Sequence, residues 1–199
     1  MTIRVALHHQ TRYLYSRAIH LGPQLVRLRP AYHGRTKIDA YNLKVEPKDH
    51  FVNWQQDPFA NPIARFVFQK PTKELCVTVD LTADMTVINP FDFFVESYAE
   101  NWPFDYDADV KQQLAPYLTK PVGTKRFDEW VASLPKATTS INDFLVEINR
   151  LTQQRVKYLV RMEPGVQTPE QTLKLGSGSC RDSAWLLVET FRQLGLAAR

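Results

Sequence analysis

The hydrophobic pattern of this chain changes period once, and that change decides what the two parts can become. Up to about Ile88 apolar residues recur at every second position. Ile3, Val5, Leu7, His9, Thr11, Tyr13 and Tyr15 share one parity, and Arg4, His8, Gln10 and Arg12 share the other. The alternation returns at Tyr41, Leu43 and Val45, at residues 63–68, and at Leu75, Val77, Val79 and Leu81. Turn signals separate these runs at Gly22-Pro23, Pro30, His33-Gly34, Asp57-Pro58 and Asn61-Pro62. A period of two is that of a strand with one buried face. Several short strands of this kind predict an antiparallel β-sandwich over residues 1–90. His9, on the apolar parity, is then expected to be buried and hydrogen-bonded. Cys76, on the opposite parity from Leu75 and Val77, reads as an inert strand thiol with no base or helix terminus beside it.

Residues 91–106 are proline-punctuated and aromatic, where a flexible linker would be polar, so this connector is expected to pack. From residue 107 to 199 the period is helical. Phe127, Trp130, Val131 and Leu134 are spaced i, i+3, i+4, i+7. Ser140 and Asp143 form an N-cap pair before Phe144, Leu145, Ile148 and Leu151. Thr168-Pro169-Glu170-Gln171 has an N-cap residue, proline at N1 and glutamine at N3. A last helix is expected over residues 180–194, with Ala184, Leu187, Val188, Phe191 and Leu194 on its apolar face and Gly195 as its left-handed cap.

Composition narrows the function classes. No run approaches the ~18 apolar residues of a membrane span. The start, Met1-Thr2-Ile3-Arg4-Val5, alternates like a strand and lacks the apolar core of a signal peptide. A cytoplasmic location is the default expectation, with no membrane partner. Two distant cysteines, Cys76 and Cys180, are no disulfide framework. No C-x-x-C or H-E-x-x-H spacing suggests a metal, and no cofactor is expected. A net charge of +4, scattered along the chain, does not imply nucleic acid. The densest basic group, Arg27, Arg29, Arg35 and Lys37, reads as the wet face of a strand, with binding as the alternative.

Cys180 carries the chemistry. It lies in Gly176-Ser177-Gly178-Ser179-Cys180-Arg181-Asp182, directly before the last helical repeat. The glycines permit close approach and a sharp turn into the helix. Ser179 is an N-cap, and Asp182 is spaced to reach back to its N–H. A cysteine at the first helical position meets free backbone N–H groups and the positive end of the dipole, the setting of an acyl-transfer thiolate. Arg181 would help that charge and Asp182 oppose it. The usual histidine base is missing from this half, since His8, His9, His20, His33 and His50 all precede residue 51. A buried structural cysteine is the other reading of the same local pattern.

The stretch Gly178-Ser179-Cys180-Arg181-Asp182-Ser183-Ala184-Trp185, closing with Leu194-Gly195-Leu196-Ala197-Ala198-Arg199, resembles the nucleophile segment of bacterial transglutaminase-like cysteine enzymes. Arg161-Met162-Glu163-Pro164-Gly165-Val166-Gln167-Thr168-Pro169, Asn89-Pro90-Phe91-Asp92-Phe93-Phe94 and Asn53-Trp54-Gln55-Gln56-Asp57-Pro58 resemble the same family. The resemblance implies a β-rich start followed by the helical first part of a papain-like, transglutaminase-like α+β core, truncated before its sheet. In that family a histidine and then an aspartate follow the cysteine. Neither has a matching position here, so only Cys180 carries over as catalytic.

The implied parent is a thiol acyltransferase or cysteine protease acting on a protein or peptide substrate, with this stretch inactive alone. Its oxyanion donors would be the Cys180 N–H and, as a second, Gln167 or Tyr158, both of which also have structural readings. Two alternatives stand beside it. One is a non-catalytic protein-interaction module with a vestigial cysteine; the other gives one of the five early histidines the role of base. Trp185 widens the apolar surface of the last helix. Self-association through an uncovered core surface, or local disorder, is therefore expected.

Overall fold

Two long strands dominate the first ninety residues of the computed structural model, which describes residues 2–32, 34–89 and 92–199. They are β1 (Thr2–Ile19) and β6 (Thr72–Thr86), and β6 pairs antiparallel with both β1 and β3 (Lys37–Glu46). A second antiparallel sheet has β5 (Pro62–Phe68) between β2 (Gln24–Val26) and β4 (His50–Gln56). The sequence motifs His33-Gly34 and Asn89-Pro90-Phe91 fall partly outside the described residues. The chain divides into two units, residues 1–92 and 93–199.

In the first unit, side chains of both sheets meet in one core. Val45, Leu75 and Val77 of the long sheet pack with Ala64, Phe66 and Phe68 of the short one. The expected alternation holds here, and on the long sheet the other parity is wet except at Cys76. His8 bonds Asp80 at 2.7 Å, and Arg12 forks onto Glu74 at 2.6 and 2.8 Å. Cys76 is buried on its strand.

Three expectations need correction. The strands are not uniformly short: at about 3.3 Å per residue, the 18 residues of β1 outrun the 7 of β5 more than twofold. The short sheet therefore covers only part of the long one. Ile3, Val5 and Leu7 remain 61%, 40% and 48% exposed, and His9 is exposed too, its ring bonded to Thr11 at 3.0 Å. Parity reports which face a residue is on; it does not report whether anything lies over that face. Arg27 and Arg29 also lie past the end of β2 and are not strand residues.

The second unit contains six helices. They are α1 (Ala108–Gln113), α2 (Ala115–Leu118), α3 (Lys125–Ser133), α4 (Ile141–Arg155), α5 (Pro169–Leu175) and α6 (Cys180–Gln193). Their starts are chemically marked. The Ser140 hydroxyl accepts from the Asp143 N–H at 3.1 Å, and Thr168 and Gln171 form a reciprocal capping box. A 3-10 turn (Ser97–Ala99) and the strand pair β7 (Asn101–Trp102) and β8 (Thr139–Ser140) precede α4. Trp102 stacks on Phe144 with ring centres 3.9 Å apart.

Helix α6 lies between two clusters, and this rotates its buried face from the one expected. Leu186, fully buried, packs with Phe127, Val156 and Leu173. Leu187, Phe191 and Leu194 pack, partly buried, against Phe144 and Ile148. Ala184 is exposed, whereas Asp182, Glu189 and Thr190 are buried. Those polar groups are inside because each has a partner. Thr190 accepts from Trp130 Nε1 at 3.1 Å and donates to the Leu186 carbonyl at 2.7 Å, and Glu189 faces Arg192 at 3.3 Å. The helix closes as a Schellman motif. Gly195, at φ 86°, donates to Arg192 O and Leu196 to Phe191 O. Among the described residues no helix is long and apolar enough to cross a membrane.

Candidate active site

Two main-chain strands and one carboxylate fix the loop that delivers Cys180. Strand β9 (Lys157–Tyr158) pairs in parallel with β10 (Ser177–Gly178). The Lys157 N–H donates to Gly176 O and the Leu159 N–H to Gly178 O, each at 2.9 Å. Gly176 caps α5 at φ 61°, a left-handed conformation that a side chain disfavours. Gly178 is required for space: a Cβ there would lie 2.8 Å from Asp182 Cβ and 3.2 Å from both Asp182 Oδ2 and Gln167 Oε1.

Asp182 is the hub. Its carboxylate is fully buried and accepts five hydrogen bonds. Arg161 donates through Nε and Nη2 at 2.9 Å each, the Gln167 N–H at 2.8 Å, and Ser179 through N–H at 2.7 Å and hydroxyl at 2.8 Å. The Arg161 guanidinium first, then the N–H groups of Gln167 and Ser179, hold this carboxyl far below the usual carboxylate range, although burial opposes them. The capping reach from Asp182 to Ser179 is as the spacing predicts. The expectation that Asp182 works against a charged sulfur needs revision, because its charge is matched by Arg161 at 2.9 Å. Arg161 also donates to Gly165 O at 2.8 Å, tying the upstream loop into the same clamp.

The clamp leaves the sulfur outside it. Cys180 opens α6 and is exposed, while Ser179 and Asp182 on either side are buried. The N–H groups of Asp182 and Ser183 both donate to Ser179 O at 3.1 Å. The Cys180 N–H has no acceptor among the described residues. Arg181 is exposed and spans the Arg161 and Glu163 carbonyls at 3.4 and 3.3 Å.

The structure separates the two alternatives for a second oxyanion donor. Tyr158 pairs with Gly178 through its backbone, and its side chain is 64% exposed. Gln167 is built into the clamp, its Oε1 accepting from Thr172 at 3.0 Å while its Nε2 stays unengaged among the described residues. The residue that sequence reasoning missed is Arg161. Its partner lies 21 positions downstream, a distance at which no local pattern signals pairing. Among the described residues, no group of three or more His, Cys, Asp or Glu side chains is placed to hold a metal ion.

Comparison with known proteins bears on the family and the fold. Residues 5–84 match the bacterial transglutaminase-like N-terminal region, and residues 128–199 match the transglutaminase-like superfamily. Residues 128–199 thus belong to the transglutaminase-like superfamily, and residues 5–84 to the bacterial N-terminal region ahead of it. The crystal structure of a proposed cysteine protease from Cytophaga hutchinsonii shares its fold, with a TM-score of 0.67 at 17% identity. That match covers 98% of this chain, and the chain spans 64% of the matched one. Among curated proteins none matches.

Proposed function

We propose that Cys180 is the nucleophile of a thiol acyl-transfer reaction on carboxamide or peptide carbonyls. Its sulfur attacks the carbonyl carbon, the C–S bond forms, the C–N bond breaks, and the departing nitrogen takes up the proton that the thiol gave up. Water or a second amine then resolves the thioester. The observation that carries this reading is the buried Arg161–Asp182 clamp, which holds an exposed cysteine at a helix start with its own N–H unpaired. That N–H is aimed to stabilise the oxyanion, with Gln167 Nε2 as the second donor. Arg161 and Asp182 are positioning residues. The fold match to a proposed cysteine protease supports the same class.

A group that takes the thiol proton as base and gives it to the leaving amine as acid is the missing element, because no histidine lies between residues 51 and 199. The 199-residue chain is therefore expected to show negligible deamidase, transglutaminase or protease turnover. Glutamine-containing peptides and casein, with Cys180→Ala as control, test this. Turnover that vanishes in the control would overturn the half-site reading and assign the base to an early histidine.

A second reading, a non-catalytic interaction module, draws on Tyr158, Leu159, Val160 and Met162. These apolar residues run beside the Cys180 loop and are 64%, 45%, 77% and 88% exposed. The same surface supports self-association of the chain.

A further inference from the structure

Arg29, in the first unit, is a cation with no counter-charge against it among the described residues. Its Cζ lies 5.1 Å from the ring centre of Tyr32 and 5.4 Å from those of Tyr41 and Trp54. The side chain is half-buried and makes no hydrogen bond or ion pair among the described residues. Aromatic faces satisfy the plane of a guanidinium and leave its N–H edges free to donate. The Tyr41 hydroxyl is buried and likewise has no hydrogen-bond partner among the described residues. Arg29 and Tyr41 wall one cleft of about 470 Å³ together with Tyr32, Lys37, Ile38 and Asp39.

An unpaired half-buried cation and an unpaired buried hydroxyl both cost the fold stability. One oxygen-rich anion would offset both. The charges favour a monoanion. Asp39 meets Lys37 at 2.9 Å and Arg4 at 3.3 Å, and Asp84 also acts on Lys37, so among the described residues these two cations are matched by two carboxylates and Arg29 adds one further positive charge. A dianion would bring its second charge against Asp39. The planar fork of arginine fits a carboxylate through two parallel hydrogen bonds, and Tyr32, 69% exposed, offers an apolar face beside it.

We propose that this cleft binds a monocarboxylate with an apolar body, its oxygens on the Arg29 N–H edge and the Tyr41 hydroxyl and its body against Tyr32. The basic group that the sequence left as an outer strand face then becomes a binding site through one of its members, Arg29.

Calorimetric titration of the 199-residue chain with hippurate tests this, since hippurate joins an aromatic ring to one carboxylate. Hippuramide, which lacks the charge, and inorganic phosphate serve as comparisons. The expected result is saturable hippurate binding, with both comparisons weaker by about tenfold or more. Arg29→Gln is expected to weaken hippurate by about tenfold or more and Arg29→Lys by less, because lysine keeps the charge and loses the fork. Tyr41→Phe is expected to weaken hippurate by about threefold or more while leaving the melting temperature of the free protein unchanged or raised. That variant keeps the test decisive if Arg29→Gln folds poorly. A hexapeptide ending in phenylalanine, as free acid and as amide, separates the sources. Acid-dependent binding tighter than hippurate identifies a chain end as the ligand, and weaker binding identifies a small acid. Undetectable hippurate binding, equal binding of hippuramide, or hippurate affinity unchanged in Arg29→Gln and Tyr41→Phe would overturn the proposal.

Discussion

Gly178 and Gly195 both flank α6, and they are needed for different reasons. Gly178 is short of space, with 2.8 Å between a would-be Cβ and Asp182 Cβ. Gly195 has open space around it but adopts φ 86°. Gly178→Ala is expected to cost about 2 kcal/mol, because the neighbour it meets is the buried end of a clamp and cannot yield freely. Gly195→Ala is expected to cost about 1 kcal/mol through backbone strain alone. Urea denaturation measures both, and limiting iodoacetamide separates them. Gly178→Ala should change the labelling rate of Cys180, and Gly195→Ala should leave it alone. Equal effects on that rate would mean that the clamp does not position the sulfur. At this scale the sequence is candid about what is local. The cysteine, its glycines, the Ser179 cap and the reach of Asp182 all follow from adjacent residues. Arg161 does not, because its pairing depends on how β9 folds back beside β10.

Helix α6 shows what a periodicity argument can and cannot supply. Its length, cap and left-handed terminus are legible, since each rests on a few neighbouring residue types. Its buried face is not, because apolar spacing assumes one neighbour and this helix has two. The polar residues Thr190 and Glu189 then occupy buried positions that a hydropathy pattern assigns to solvent. Leu186 was outside the predicted stripe and is fully buried, whereas Leu187 was inside it and is only partly so. Leu186→Ala is expected to cost about 3–4 kcal/mol, and Leu187→Ala about half as much. Thermal or urea unfolding of the two variants decides the matter. The reverse order would restore the predicted stripe and contradict the two-sided packing.

For the whole molecule, the single change of period marks both the all-β unit and the helical unit. It says nothing about coverage. The long sheet keeps Ile3, Val5 and Leu7 exposed because the short sheet ends before reaching them, and strand length mismatch is invisible to parity. The same holds in the second unit. The apolar run at Tyr158, Leu159 and Val160 stands exposed beside the Cys180 loop. What joins the local signals into a site is the clamp, and the role proposed for it is to make the Cys180 sulfur better at taking an acyl group than a cysteine in a loose chain. Mass spectrometry of the intact protein, after brief exposure to a p-nitrophenyl ester, reads that property directly. One acyl group is expected, on Cys180, formed about tenfold or more faster in the native chain than in the urea-unfolded chain, and absent from Cys180→Ala. Acylation of Cys180 at the same rate in both states, or acyl groups placed elsewhere in the native chain, would contradict this expectation.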